Sequence, residues 1–185
     1  DIVWGDKTFL FTAITGCAAA LFGGVTLHSA AYLNSKSKNI TPDMLHTWDQ
    51  VRMLIIDEIS FSTNDQMEKL NTRLNHIRRK LCSGKKVLSP NLIFGGYSII
   101  FCGDFHQIPP VKAKESQLLY SNSSLWESSL NVAIILNNSH RFKDDPEYGE
   151  ILKRMWEGKF TQKDCNAMNE RLIGTKVQLP NTEND

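Results

Sequence analysis

Little in this chain would serve a secreted, fibrous or membrane-spanning protein. Its 185 residues hold only 4 cysteines, Cys17, Cys82, Cys102 and Cys165, far apart and with no Cys-x-x-Cys pair, which excludes a disulfide framework or a zinc ribbon. Set mostly among apolar neighbours, they read as reduced core residues. Proline (6) and glycine (11) are too scarce for a collagen-like or low-complexity chain. No apolar run approaches the ~20 residues that span a bilayer. The opening Asp1-Ile2-Val3-Trp4-Gly5-Asp6 lacks the charged-then-apolar form of a signal peptide. No cluster of histidines has metal-ligand spacing, so His106 and His140 read as packing or surface residues. Net charge is only +1, so no overall field draws nucleic acid and any such contact must come from local groups. The expectation is a soluble protein inside a cell, with no membrane partner. With 41% apolar residues it can bury one sizeable core.

What the chain does have is two apolar runs that end abruptly in acids or amides. One is Leu54-Ile55-Ile56-Asp57-Glu58-Ile59-Ser60; the other runs from Ile99-Ile100-Phe101-Cys102-Gly103-Asp104 through Phe105-His106-Gln107 to Ile108-Pro109-Pro110-Val111. Strands of a parallel sheet covered on both faces read as continuous hydrophobic runs, and ligands bind outside their carboxyl ends. Polar clusters at two such ends therefore converge on one site. Asp-Glu after a buried strand is the arrangement of a nucleotide hydrolase, the first carboxylate holding Mg²⁺ and the second placing the attacking water. Gly103-Asp104 followed by Gln107 fits a sensor strand beside it. The plain alternatives are an acidic helix start for Asp57-Glu58, a loop amide for Gln107, and a turn residue for Asp104, which is kept out of the catalytic set.

The remaining segments read as an α/β domain with a mainly parallel sheet flanked by helices. Phe9 to Ile14 is a buried strand, Thr15 to Phe22 a turn opening a short helix, and a second helix starts at Thr26-Leu27-His28-Ser29. Residues 34–50, with Ser-Lys-Ser-Lys and Thr41-Pro42, read as a surface insertion. Met67, Leu70, Leu74, Ile77 and Leu81 recur at helical spacing, so Thr63 to Cys82 is an amphipathic helix. Its basic tail, Arg78-Arg79-Lys80, and the nearby Lys85-Lys86 read as a solvated helix end. Ser83 to Gly96 is a loop leading into the strand Tyr97 to Cys102. A helix over Asn122 to Ser128, a strand over Val132 to Leu136, and closing helices over Glu147 to Glu157 and Gln162 to Leu172 complete the set. Phe105, Trp126 and Trp156 are assigned to packing.

With these segments in order, the chain resembles the petite-integration-frequency family of ATP-dependent DNA helicases, superfamily-one motors with RecA-like domains. The likeness rests on Thr15-Gly16-Cys17-Ala18-Ala19, Gly24-Val25-Thr26-Leu27-His28-Ser29, Ile55 to Ser60, Cys102 to Val111, and Leu136 to Arg141. It implies a RecA-like P-loop NTPase fold, ATP and Mg²⁺ as cofactors, and single-stranded DNA as partner. By the same resemblance Asp57 is the Mg²⁺ carboxylate, Glu58 the residue that activates water, Gln107 the γ-phosphate sensor, and Arg141 the arginine that stabilises the transferring phosphoryl group. Thr15, Gly16, Thr26 and His28 are similar to the family's contacts to single-stranded DNA. A helix cap is the other reading of His28, and a surface pair with Asp144 or Asp145 the other reading of Arg141.

Three departures qualify the resemblance. The family's phosphate loop, ending Gly-Lys-Ser/Thr, is absent; Gly5-Asp6-Lys7-Thr8 lacks the preceding strand and reads as a turn. Phe142 stands where the family has glutamine, and a second motor domain has no room after Leu172. Residues 1–140 are therefore expected to be a partial first motor domain lacking its phosphate-loop unit, and 141–185 a helical segment leading toward an absent second one. The resemblance implies 5′→3′ movement, roles in DNA repair, recombination and telomere maintenance, and a place in the nucleus or mitochondrion. A truncated fragment of this kind is expected to be inactive alone. Two alternatives stay open: a non-hydrolysing single-stranded nucleic-acid-binding module left by truncation, and a scaffold whose partner supplies the loop.

Overall fold

The computed structural model describes residues 7–34, 39–83, 92–121, 123–136 and 140–172. They fall into two compact units, Asp1–Ala133 and Ile134–Asp185. In the first, β1 (Phe9–Ala13), β2 (Val25–Thr26), β3 (Met53–Asp57) and β4 (Ser98–Phe101) form an all-parallel sheet in the order β2-β1-β3-β4. The register pairs Phe11 with Ile55 and Ile55 with Ile100, so these side chains share one face. Leu10, Leu54, Ile56, Ile99 and Phe101 share the other.

That second face carries the core. Helices α2 (Leu27–Ala30), α3 (Pro42–Trp48), α4 (Asn64–Leu81) and α5 (Ser124–Ser129) pack on it through Leu27, Trp48, Leu70, Leu74 and Trp126. α4 follows its sequence pattern closely. Thr63 and Gln66 close a capping box at its start, Met67, Leu70, Leu74 and Ile77 are buried, and the basic last turn complements the helix dipole. Among the described residues the opposite face receives only α1 (Gly16–Leu21), whose Ala18 and Ala19 meet Ala13. Phe11 and Ile100 on that face are 46% and 45% exposed, so among the described residues the sheet is not evenly covered on both faces. Chain direction explains the division. The step from β1 to β2 runs one way along the sheet, those into β3 and β4 run the other way, and right-handed crossovers put oppositely directed connections on opposite faces.

Within the stretch expected to be a surface insertion, residues 41–48 are instead a capped helix packed into the core. Thr41 caps α3 with Pro42 in its first turn, and Met44 and Trp48 are buried. Trp48 is fully buried, its Nε1 donates to the Ala30 carbonyl at 2.9 Å, and its ring meets Tyr97 edge-on at 5.2 Å. Thr-Pro was thus a helix start, and a helix of seven residues is too short to show a clear period. The Ser-Lys-Ser-Lys stretch lies outside the described residues, as do Lys85-Lys86. Val132 to Leu136 is irregular and exposed, and it pairs with no strand among the described residues. An apolar run without a neighbouring ladder is not a strand. The four cysteines are free, as expected, but Cys17 is exposed and the others half-buried rather than core. Phe105 touches Trp126 and Tyr120, whereas Trp156 is half exposed. Among the described residues no helix is long and apolar enough to cross a membrane.

The second unit is built on α6 (Pro146–Trp156) and α7 (Gln162–Asn169), capped by Asp145 and Thr161. Asp164, 1% exposed, joins them: Arg154 donates to its carboxylate from Nε at 3.0 Å and from Nη2 at 2.6 Å, and the Thr161 hydroxyl donates at 2.7 Å. Hydrogen bonds from Arg154, then from Thr161, hold this carboxyl well below the ordinary carboxylate range.

Two outcomes follow from this packing. Trp48→Ala should lower unfolding stability by about 3–5 kcal/mol in denaturant titration, whereas a surface position would lose under 0.5. Because the folded Asp164 carboxyl titrates below its unfolded counterpart, its contribution is complete above about pH 4 and is lost as the pH falls further. Asp164→Asn should therefore lower the melting temperature at pH 7, and the gap from wild type should narrow below pH ~4.

Candidate active site

The carboxyl ends of the four strands carry most of the residues singled out in the sequence. β3 ends on Asp57, and Glu58 follows at once. The Asp57 backbone carbonyl accepts from Ile14 at 3.0 Å, which joins the β3 exit to the β1 exit and places Thr15-Gly16 beside it. Ala13 pairs with Thr26, so the β2 exit with Thr26 and His28 lies along the same edge. On the other side, Ile59 N–H donates to the Cys102 carbonyl at 2.9 Å and ties the β4 exit to β3. The strand order reverses between β1 and β3, and such a switch point is where open parallel sheets bind ligands.

Close approach sets the geometry on the β4 side. A Cβ on Gly103 would lie 3.0 Å from both Ile59 N and Ile59 Cγ2 and 3.3 Å from Ser60 N, so any larger residue there would press the two exits apart by a few tenths of an ångström. Beyond it, Asp104 is the turn residue its sequence indicated. Its carboxylate accepts from His106 N–H at 2.9 Å, with His106 Nδ1 3.4 Å away, and its carbonyl accepts from Gln107 N–H at 3.2 Å. Gln107 is exposed, and it shares a small cavity with Ser60, Phe105 and Tyr120.

Glu58 stands in the left-handed region, φ 57° and ψ 39°, between the strand and a 3₁₀ turn over Ile59–Phe61. For a residue with a Cβ this conformation is strained and persists only where the surroundings impose it. The Asp57 carboxylate helps to impose it, accepting from Glu58 N–H at 2.9 Å through Oδ1. Both acids are half-buried. Burial, then the nearby Asp57 charge, pushes the Cys102 thiol up, so that sulfur stays protonated at neutral pH.

The threonines first serve their own helices. Thr15 accepts from Ala18 N–H at 3.2 Å, and Thr26 accepts from Ser29 N–H at 3.2 Å while donating to the Ser29 hydroxyl. Thr26, not His28, is therefore the cap of α2. A Cβ on Gly16 would meet nothing within 4 Å, so no internal contact requires glycine there.

Arg141 belongs to the second unit. It is exposed and pairs with neither Asp144 nor Asp145; Asp145 instead caps Tyr148 N–H and bonds Arg171 at 3.3 Å. Phe142 packs edge-on against Tyr148 at 5.6 Å, and the Arg171 guanidinium covers the other part of that ring at 4.8 Å. The turn carrying Arg141 is thus pinned to α6 by the residue that departs from the family pattern. Leu136 lies in the described residues, but 137–139 do not.

Sequence reasoning missed three features here: the strain at Glu58, the contact at Gly103, and the buried Ser60 hydroxyl without a partner. The glycine at 103 is itself the signal of a close backbone approach, whereas the strain at Glu58 and the unpaired Ser60 hydroxyl have none in residue type or spacing. The strain can be measured. Glu58→Gly should raise unfolding stability by about 1 kcal/mol in denaturant titration, since glycine takes this conformation freely.

A profile of the PIF1-like helicase family matches residues 2–164. The ATP-dependent DNA helicase PIF1 of Saccharomyces cerevisiae is 30% identical over 164 residues, covering 83% of this chain and 18% of its own length. That of Danio rerio is 33% identical over 165 residues, with 84% and 24% covered. Among solved structures, a Pif1 helicase from Bacteroides in complex with ADP-AlF3 and ssDNA superposes with a TM-score of 0.72 at 22% identity. It covers 91% of this chain and 42% of that one, and shows the fold. The Candida albicans Pif1 helicase gives 0.65 at 29% identity, with 89% and 37% covered. The sheet and its flanking helices are thus RecA-like, and the chain spans about a fifth of the length of the curated relatives it matches. On this match the chain belongs to the PIF1-like helicase family.

Proposed function

We propose that this chain is the central part of the first motor domain of an ATP-dependent DNA helicase, with residues 141–185 leading toward a second motor domain. The observation that carries the reading is the joining of the β3 and β4 exits through Ile59 and Cys102, which sets Asp57-Glu58 and the Gln107 loop on one sheet edge. Glu58 holds a hydrogen bond from the attacking water and takes its proton. The Gln107 carboxamide donates to a γ-phosphate oxygen, and the Arg141 fork stabilises charge on the transferring group. Asp57 is the Mg²⁺ carboxylate. Among the described residues no group of three or more His, Cys, Asp or Glu is placed to hold a metal. That suits Mg²⁺, which takes one or two carboxylates with waters and substrate phosphates rather than a protein cage. When bound, Mg²⁺ neutralises charge developing between the β- and γ-phosphates.

Thr15, Gly16, Thr26 and His28 along the same edge contact the backbone of single-stranded DNA. Hydroxyls and helix-start amides that meet phosphates ignore base identity, which suits a motor tracking 5′→3′. The wider role is DNA repair, recombination and telomere maintenance in the nucleus or mitochondrion.

The phosphate loop comes from a strand–loop–helix unit preceding β1, and the sheet has a place for it. β4 pairs only with β3, so its outer edge is open among the described residues. A strand added there and returning to β1 steps in the same direction as β1 to β2. A right-handed crossover then lays its helix over the face that carries the exposed Phe11 and Ile100.

In the protein carrying its Gly-Lys-Ser/Thr loop, Glu58→Gln should lower ATP turnover by about 10²–10⁴-fold while retaining salt-dependent binding of single-stranded DNA. Undiminished turnover removes the role given to Glu58. Salt-dependent DNA binding with no response to nucleotide in that same protein favours the non-hydrolysing module instead.

A further inference from the structure

Ser60 is 5% exposed, and its hydroxyl has no hydrogen-bond partner. A buried hydroxyl left unpaired costs about 1–3 kcal/mol, so it calls for a reason. The neighbouring Ser62 shows the ordinary solution: it is equally buried, and its hydroxyl donates to Gln66 Oε1 at 3.0 Å. Ser60 instead opens on a cavity of about 10 Å³ lined by Phe105, Gln107, Pro109, Pro110 and Tyr120. This volume suits one oxygen-sized group and no substrate.

The cavity joins the two halves of the candidate site. Ser60 follows Asp57-Glu58-Ile59 on the turn leaving β3, while Gln107 closes the loop leaving β4. Near Gly103 the backbones of the two segments are in contact, so the distance from Ser60 to the Gln107 loop is set by rigid parts. Of the lining side chains, only Gln107 and Tyr120 bear polar atoms. The Tyr120 ring is held perpendicular to Phe105 at 5.7 Å, whereas the Gln107 side chain is exposed and turns about three bonds.

We infer that Ser60 is a positioning residue for Gln107: its hydroxyl donates to the carboxamide Oε1 and so turns the Nε2 hydrogens toward the nucleotide. A carboxamide has two nearly isosteric ends, one accepting and one donating, and nothing in glutamine itself decides which end faces a phosphate. A donor fixed on the β3 exit decides it. The sensor then reports to the segment that carries the water-activating carboxylate, because Ser60 lies two residues after Glu58 on the same turn. The inference rests on the sensor role proposed above for Gln107.

The test uses the protein carrying its phosphate loop. Ser60→Ala should lower kcat for ATP hydrolysis by about 2- to 10-fold, the worth of one hydrogen bond, with KM for ATP unchanged. Ser60→Thr, which keeps the hydroxyl, should stay within about twofold of wild type. Ser60→Ala combined with Gln107→Ala should be no slower than Gln107→Ala alone, and Tyr120→Phe should have no effect. The melting temperature of Ser60→Ala without nucleotide should not fall, because the substitution deletes an unpaired group. A lowered melting temperature, an additive double variant, a slow Tyr120→Phe, or an unchanged Ser60→Ala beside a slow Gln107→Ala overturns the inference. A Gln107→Ala variant with normal kcat overturns the sensor role on which it rests.

Discussion

The hydrogen bond from Ile59 N–H to the Cys102 carbonyl is the constraint on which the site depends. It closes the carboxyl ends of two neighbouring strands just where each gives way to a loop, and Gly103, without a Cβ, leaves room for that close approach. The parallel ladder alone sets the strands about 4.8 Å apart and leaves their loops free to diverge. With the bond in place, the turn holding Asp57 and Glu58 and the loop holding Gln107 share one rigid base. A further bond, from Ile14 to the Asp57 carbonyl, extends the same base to the Thr15-Gly16 turn.

Around that base the chain departs from local preference in ways its core does not. Glu58 is held left-handed and Ser60 keeps a buried hydroxyl unpaired, while α4 satisfies its caps, dipole and apolar stripe together. Both conflicts, at Glu58 and Ser60, fall within three residues of the β3 exit, where the surrounding structure rather than local preference sets the geometry. The strain is affordable because Leu54 and Ile56 anchor β3 in the core immediately before it. In the second unit Asp164 plays the opposite part, a buried charge whose every partner is supplied by Arg154 and Thr161.

Among the described residues the two faces of the sheet are covered unequally. Its core face is closed by four helices, and its other face holds one short helix and the exposed Phe11 and Ile100. An apolar sheet face of this kind is unfavourable in water, and the crossover rule states which connection would cover it.

The legible part of this protein was whatever depends on neighbours in sequence. The strands ending at Ala13, Asp57 and Phe101, the stripe of α4 and the caps at Thr63 and Thr161 all follow from periodicity and capping chemistry, which act within a few residues. The motif strings placed the acids and Gln107 at strand ends for the same reason. Trp48, Val132 to Leu136, Glu58 and Ser60 were not legible, because burial, ladder pairing and strain are set by what lies across the fold. Sequence by itself determined which residues end the strands and what chemistry they carry; only the tertiary structure decided which face is covered, which exits touch and which hydroxyl waits for a partner, since those are contacts between segments that no local pattern encodes.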